Sequence, residues 1–161
     1  MDQPITTTAD ELIDQAHAGQ VDKAGLPYVG HLRRVAGYVD SEDPLAVTTA
    51  LLHDSLEDTS LTAAELADHG IPAPVIEAVE LLTRRDDQSP DDYYQAIRRN
   101  PLAREVKLAD LADNSDPARL AQLPDATRNR LIQKYATAYR ALCAEDVDGE
   151  RRRARAATDP D

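Results

Sequence analysis

The sequence predicts an all-α domain, and three observations carry that prediction. Helix-start signals recur along the whole chain. No run of four or more residues alternates apolar and polar side chains as a half-buried strand would. The 161 residues include no Phe and no Trp, so the core must be Leu, Ile, Val and Ala with a few Tyr. That set suits packed helices better than a sandwich. One domain with a real core is expected at this length.

The elements follow in order. Thr8-Ala-Asp-Glu11 reads as a capping box opening a helix to about Gly19. The loop "GQVDKAGLPY" follows, then a helix from about Val29 to Val39. Asp43-Pro44 supplies an N-cap and a proline at the first helical position, for a helix that carries His53 and Asp54. Thr62-Ala-Ala-Glu65 is a second capping box. Pro72 or Pro74 opens "VIEAVELLT", Ser89-Pro90 opens "YYQAIRR", and Asn100-Pro101 opens "LAREVKLADLADN". Pro124 starts a long helix, "DATRNRLIQKYATAYRALCA". Seven to nine helices are expected, with one domain over 1–144. The charge-blocked stretch 145–161 loses periodicity and is expected to be a frayed, flexible tail.

The formal net charge of −12 argues against binding to nucleic acid or anionic lipid, which basic surface carries. A small anionic substrate remains compatible with it if a divalent cation lies between the two. No apolar stretch is long enough to span a membrane, and the start lacks the basic and apolar regions of a signal peptide. Cys143 is the single cysteine, so no internal disulfide forms, and a cytoplasmic location is expected. Oligomeric state is not legible.

The stretch "ALLHDSLEDTSLT" concentrates the chemistry. It places His53, Asp54, Glu57 and Asp58 directly after the apolar run "AVTTALL". If one helix continued through it, His53 and Glu57 would share a stripe and Asp54 and Asp58 the next. So much negative charge in one place repels itself without a cation. Imidazole and carboxylate together suit a first-row divalent ion such as manganese, iron or zinc. His31 in "PYVGHLRRVAGYV" and Asp110 in "REVKLADLADN" are the candidates for further ligands. Each residue alone has an ordinary structural explanation, and only the combination points to a site.

Three segments, "AHAGQVDKAGLPYVGHLRRVA", "AVTTALLHDSLEDTSLTAAEL" and "VKLADLADN", resemble successive motifs of the HD-domain hydrolases of the RelA/SpoT type, including the small stand-alone alarmone hydrolases. The likeness runs from about Ala9 to Asn114 in the same order, and the "EDT" after "HD" is more specific than HD itself. The resemblance implies a single all-α HD-domain bundle. It implies metal-dependent removal of the 3′-pyrophosphate from (p)ppGpp, with Mn2+ as the usual ion and Zn2+, Fe2+ or Co2+ as others. Carried over by motif, His31, His53, Asp54 and Asp110 are the metal ligands and Glu57 and Asp58 the catalytic pair. Lys23, Tyr28 and Asn114 fall at positions that contact the nucleotide. Lys107 is expected to be partly exposed near the site without a strong role, and His17 to be structural.

The chain also departs from the family pattern. Asp22 stands where many members carry a cation beside the lysine, which predicts weaker guanine contact or broader base tolerance. Leu111, Asp113, Asp116 and Pro117 replace arginine, histidine, arginine and threonine. Two further readings therefore stay open: an HD phosphatase for another nucleotide or phosphorylated metabolite, such as a nucleoside monophosphate or an NADPH-like dinucleotide, and a noncatalytic nucleotide-binding protein.

Overall fold

Side-chain caps open several helices where the sequence puts them. Asp43 accepts from the Leu45 N–H, Ser89 from Asp92 and Asn100 from Ala103, each just ahead of a proline at the helix start. Thr62 and Glu65 form the reciprocal capping box. The structure, a computed structural model, describes residues 3–159. Eleven helices are found there: α1 (Ile5–Ala16), α2 (Tyr28–Tyr38), α3 (Pro44–Leu52), α4 (Ser55–Asp58), α5 (Ala63–Asp68), α6 (Ala73–Leu82), α7 (Pro90–Arg99), α8 (Pro101–Asn114), α9 (Pro117–Leu120), α10 (Asp125–Ala141) and α11 (Asp146–Thr158). The described residues contain no strand, only an isolated bridge between Val21 and Pro27. The fold is all-α, as expected.

Helix α8 is the axis of the molecule and packs against α2, α3, α6, α7, α10 and α11. Its apolar positions, among them Val106, Leu108, Ala109 and Leu111, join Val35, Ile97, Tyr139 and Leu142 in one core cluster. A second cluster forms around Ile13, Leu32, Leu52, Leu66 and Val79, where α1, α2, α3, α5 and α6 meet. The junction of α2, α3, α4 and α8 is therefore held from two sides, which suits a site needing fixed geometry.

Four expectations need correction. Helix α1 starts at Ile5 rather than after Thr8, and the Thr8 hydroxyl turns back to the Pro4 carbonyl instead of capping. The helix after Pro44 does not run through Asp54. It ends at Leu52, and Asp54 (φ −101°, ψ 0°) forms a corner before the single turn of α4. The short helix α9 was not expected.

The stretch after residue 144 is not a frayed tail through the described residues. It forms α11, anchored by Arg152, which is only 2 % exposed. Arg152 donates to Glu105 at 2.6 and 3.1 Å, to Asp148 at 2.7 Å and to the Tyr38 carbonyl at 3.1 Å. The side chain of Gly149, absent beyond hydrogen, lets α11 approach Tyr139 and Ala112 closely. The signal was hidden because a guanidinium does the inward-facing work that an apolar residue does elsewhere. Residues 160 and 161 of the expected tail lie outside the described residues.

Candidate active site

The corner at Asp54 decides the geometry. On a continuous helix, consecutive side chains point about 100° apart. By ending α3 at Leu52 and turning, the chain aims both His53 and Asp54 at one point. Helix α2 brings His31 to that point and α8 brings Asp110. His53 Nε2 lies 3.1 Å from Asp54 Oδ2 and 3.4 Å from Asp110 Oδ1. His31 Nε2 lies 3.7 and 3.2 Å from the same two atoms. Donors around a cation with bonds of about 2.1 Å sit about 3 Å from one another; His31, His53 and Asp54 form a group of possible ligands, and Asp110 Oδ1 lies beside both imidazoles.

The histidine tautomers agree with that grouping. His53 Nδ1 donates to the Ala50 carbonyl at 2.6 Å, which leaves Nε2 with a lone pair; Nε2 is buried without a hydrogen-bond partner. His31 Nδ1 donates at 2.6 Å to Asp113, a carboxylate that can only accept. Its Nε2 therefore also faces the centre as a lone pair. A carboxylate behind a ligating histidine is a common arrangement at metal sites.

The carboxylates and imidazoles of the site perturb one another strongly. Burial pushes Asp54 up, but the nearby His53 and His31 imidazoles hold it well below the usual carboxylate range. Burial also pushes Asp110 up, and Lys107 with the two histidines holds it well down. Burial pushes His53 down, yet Asp54 and Asp110 raise it to about 10. His31 is raised in the same way by Asp110, Asp113 and Asp54, against its burial. The carboxylates thus draw protons toward both Nε2 atoms whenever no ion is there to take their lone pairs. An entering ion must displace those protons, so its affinity is expected to rise with pH. Competition with a chelating dye at about pH 6 and about pH 8.5 checks this, and equal or weaker binding at the higher pH would contradict it.

Glu57 and Asp58 lie at the exposed mouth of the site, and together with Asp54 they offer oxygens within 4.8 Å of one another. Glu57 Oε1 is fixed by the Arg84 backbone N–H at 2.9 Å. Burial and the nearby Asp54 raise both carboxyl groups above their ordinary values. Tyr28 gives its hydroxyl to Asp54 and stacks on buried His17, 5.3 Å between ring centroids. His17 in turn holds Gln20, whose amide donates to the Asp58 carbonyl. Asn114 donates to Asp110 Oδ1 at 2.9 Å and Lys107 to Oδ2 at 2.9 Å. Lys107 is partly exposed, as expected, but it also holds a ligand-candidate carboxylate in place.

Eight of the nine residues singled out from sequence line one cleft of about 390 Å³: Lys23, Tyr28, His31, Asp54, Glu57, Asp58, Asp110 and Asn114. His53 sits behind them. That volume is in the range of small-molecule sites. Sequence reasoning missed three cations on its walls, Arg84, Arg119 and Lys134. No spacing rule could have found these, since they come from three separate helices or turns. It also missed Asp113, for which a signal existed. Asp113 follows Val106 and Asp110 on the buried stripe of α8, where a carboxylate needs an explanation.

Asp22 does not act as expected. Its Oδ1 accepts from the N–H groups of Ala24 and Leu26, and its Oδ2 meets Arg119 at 3.3 Å. The side chain closes its own turn, helped by Gly25 at φ +82°, and is not a repulsive charge presented to a base. Replacing it with arginine would open the loop rather than improve nucleotide binding.

No model of a known protein family matches the chain. A probable GTP pyrophosphokinase of Mycobacterium leprae is 31 % identical over 121 residues, which are 68 % of this chain and 15 % of that protein. A guanosine-3′,5′-bis(diphosphate) 3′-pyrophosphohydrolase of Haemophilus influenzae is 29 % identical over 134 residues, 77 % of this chain and 20 % of its own length. The bifunctional (p)ppGpp synthase/hydrolase RelA of Mycobacterium tuberculosis is 40 % identical over 60 residues, 36 % of this chain and 8 % of that one. The chain thus spans a fifth or less of these curated relatives. Among solved structures, a metazoan ortholog of SpoT, described as hydrolysing ppGpp and acting in starvation responses, superposes with a TM-score of 0.73 at 19 % identity. That match covers 97 % of this chain and 95 % of the other. Motif order, sequence likeness and fold together identify the chain as an HD domain of the RelA/SpoT type.

Proposed function

We propose that this domain is a metal-dependent phosphohydrolase that removes the 3′-pyrophosphate from (p)ppGpp. The observation that carries the reading is the convergence of His31 and His53 on Asp54 and Asp110 at 3.1–3.7 Å, with Glu57 and Asp58 beside them in a cleft that also carries Lys23, Arg84 and Lys134. The His/Asp set would hold a divalent ion, with Mn2+ the expected occupant. Such an ion supplies Lewis acidity toward a phosphoryl oxygen and makes water more acidic.

The other steps belong to the protein. Glu57, fixed by the Arg84 amide and with its carboxyl raised, takes a proton from the attacking water. A bond forms from that water oxygen to the phosphorus attached at the ribose 3′-oxygen, and the bond from phosphorus to that oxygen breaks. Asp58 returns a proton to the departing 3′-oxygen. Lys23, Arg84 and Lys134 stand on the cleft walls as counter-charges for the remaining phosphates. Lys134 feels Lys23, Arg84 and Lys107 closely enough that burial and these like charges lower its pKa. An anion relieves that repulsion. A chain of net charge −12 that places Lys23, Arg84 and Lys134 on the walls of one cleft offers an anionic ligand counter-charges there.

A phosphatase acting on another nucleotide is the second reading. It is favoured by Leu111, which lines the cleft where the family pattern carries an arginine. A panel of ppGpp, 3′- and 5′-nucleotides and NADPH offered to Mn2+-loaded protein separates the two. The first reading expects the highest kcat/KM on ppGpp; a clear preference for any other member selects the second.

A further inference from the structure

Asp113 is fully buried and has four donor atoms from three residues on two helices: His31 Nδ1 at 2.6 Å and Arg34 Nε and Nη2 at 2.7 and 3.2 Å from α2, and Arg119 Nη1 at 2.6 Å from α9. Arg119 has a second role. Its Nη2 reaches Asp22 Oδ2 at 3.3 Å, and Asp22 is the residue that closes the turn carrying Lys23 into the cleft. One guanidinium on α9 therefore joins the carboxylate behind His31 to the loop that forms the opposite wall. A planar fork can bridge two carboxylates in this way; an ammonium is a single point of charge. Both carboxylates occur where this chain departs from its family pattern, and the same side chain accounts for both.

We infer that Arg119 is a positioning residue with two separable duties: it holds Asp113 against His31, and so sets the affinity for the divalent ion, and it pins the 21–27 loop so that Lys23 faces the cleft. The inference rests on the metal site proposed above. Removal of the group hydrogen-bonded to a ligating histidine, here Asp113, typically weakens metal binding about 10- to 100-fold, and Arg119 acts through that group. Arg34 still holds Asp113 when Arg119 is gone, so the lower end of that range applies.

The test uses the full chain with Mn2+ alone as ligand, measuring affinity by dye competition and amide exchange over residues 21–27. Arg119→Gln is expected to bind Mn2+ about tenfold more weakly and to exchange faster in the loop. Asp22→Asn keeps an acceptor for the turn but loses the ion pair. It is expected to speed loop exchange and leave Mn2+ affinity at the parental value. Arg119→Lys keeps the charge without the fork and is expected to show a smaller loss of both; it replaces the glutamine variant should that fail to fold. Parental affinity or parental loop exchange in a folded Arg119 variant overturns the inference. So does an Asp22→Asn protein that loses as much affinity as Arg119→Gln, since the duties would then not be separable. If the parent itself takes up no Mn2+, or if His53→Ala takes it up equally well, the metal site is wrong. That result is distinct from a parent that binds while its Arg119 variants bind just as well.

Discussion

Glu57→Gln is expected to lower turnover of ppGpp about 100-fold or more while leaving the content of divalent ion unchanged. The substitution keeps size and keeps an acceptor for the Arg84 N–H, which now fixes Oε1 at 2.9 Å. What it removes is the basic carboxylate that takes the proton. Glu57 is exposed at the mouth of the site and lies outside the cluster of two imidazoles and two carboxylates, so ion content and folding should not follow the loss. Asp58→Asn is expected to behave in the same sense. The comparison of the two divides their roles, because loss of a general base shows on the acid limb of the pH–rate profile and loss of a proton donor on the alkaline limb. Parental turnover in both variants would show that the catalytic pair is misassigned. A loss of ion in step with activity would make them ligands instead.

His53→Ala is expected to abolish ion uptake and to reduce turnover to that of the chelator-treated parent. His53 is 2 % exposed, and its Nε2 lies 3.1 Å from Asp54 and 3.4 Å from Asp110. Without it, two buried carboxylates face each other with one imidazolium fewer between them. Breaking a buried ionic cluster by removing one partner costs on the order of 3 kcal/mol, so the metal-free variant should also melt earlier. Elemental analysis after gel filtration and a thermal melt in the presence of chelator read the two effects separately. A variant that keeps stoichiometric ion would place the metal elsewhere.

The order of the helices was legible because caps and prolines are local. Asp43, Ser89 and Asn100 act within a turn of their own chain, and the structure uses all three as caps. The site residues were legible as a set because the motifs occur in the family's order, and the structure brings Asp110 to His31 and His53 across α8. Their geometry was not legible. The sequence favours one helix through "ALLHDSLED", since nothing in it marks the corner at Asp54. That corner is imposed by convergence with α2 and α8.

Buried charge defeated local reasoning in three places. Arg152 makes α11 a packed helix although its stretch looks like a solvated tail. Asp22 has the sign that would repel a phosphate but spends both oxygens on its own turn and on Arg119. Asp113 replaces a histidine and still supports the proposed metal site, by accepting from His31. In each case one decisive partner lies more than 40 positions away in sequence, Glu105 for Arg152, Arg119 for Asp22 and His31 for Asp113, where no periodicity can announce it.

The central claim is hydrolysis of a 3′-diphosphate at an ion held by His31, His53, Asp54 and Asp110. It is tested most directly by incubating Mn2+-loaded protein with ppGpp and identifying the products, with Glu57→Gln and chelator-treated protein alongside. The expected result is GDP and inorganic pyrophosphate in equal amounts, formed by the loaded parent and suppressed in both controls. No turnover by protein that holds a stoichiometric ion, or release of orthophosphate in place of pyrophosphate, would contradict it.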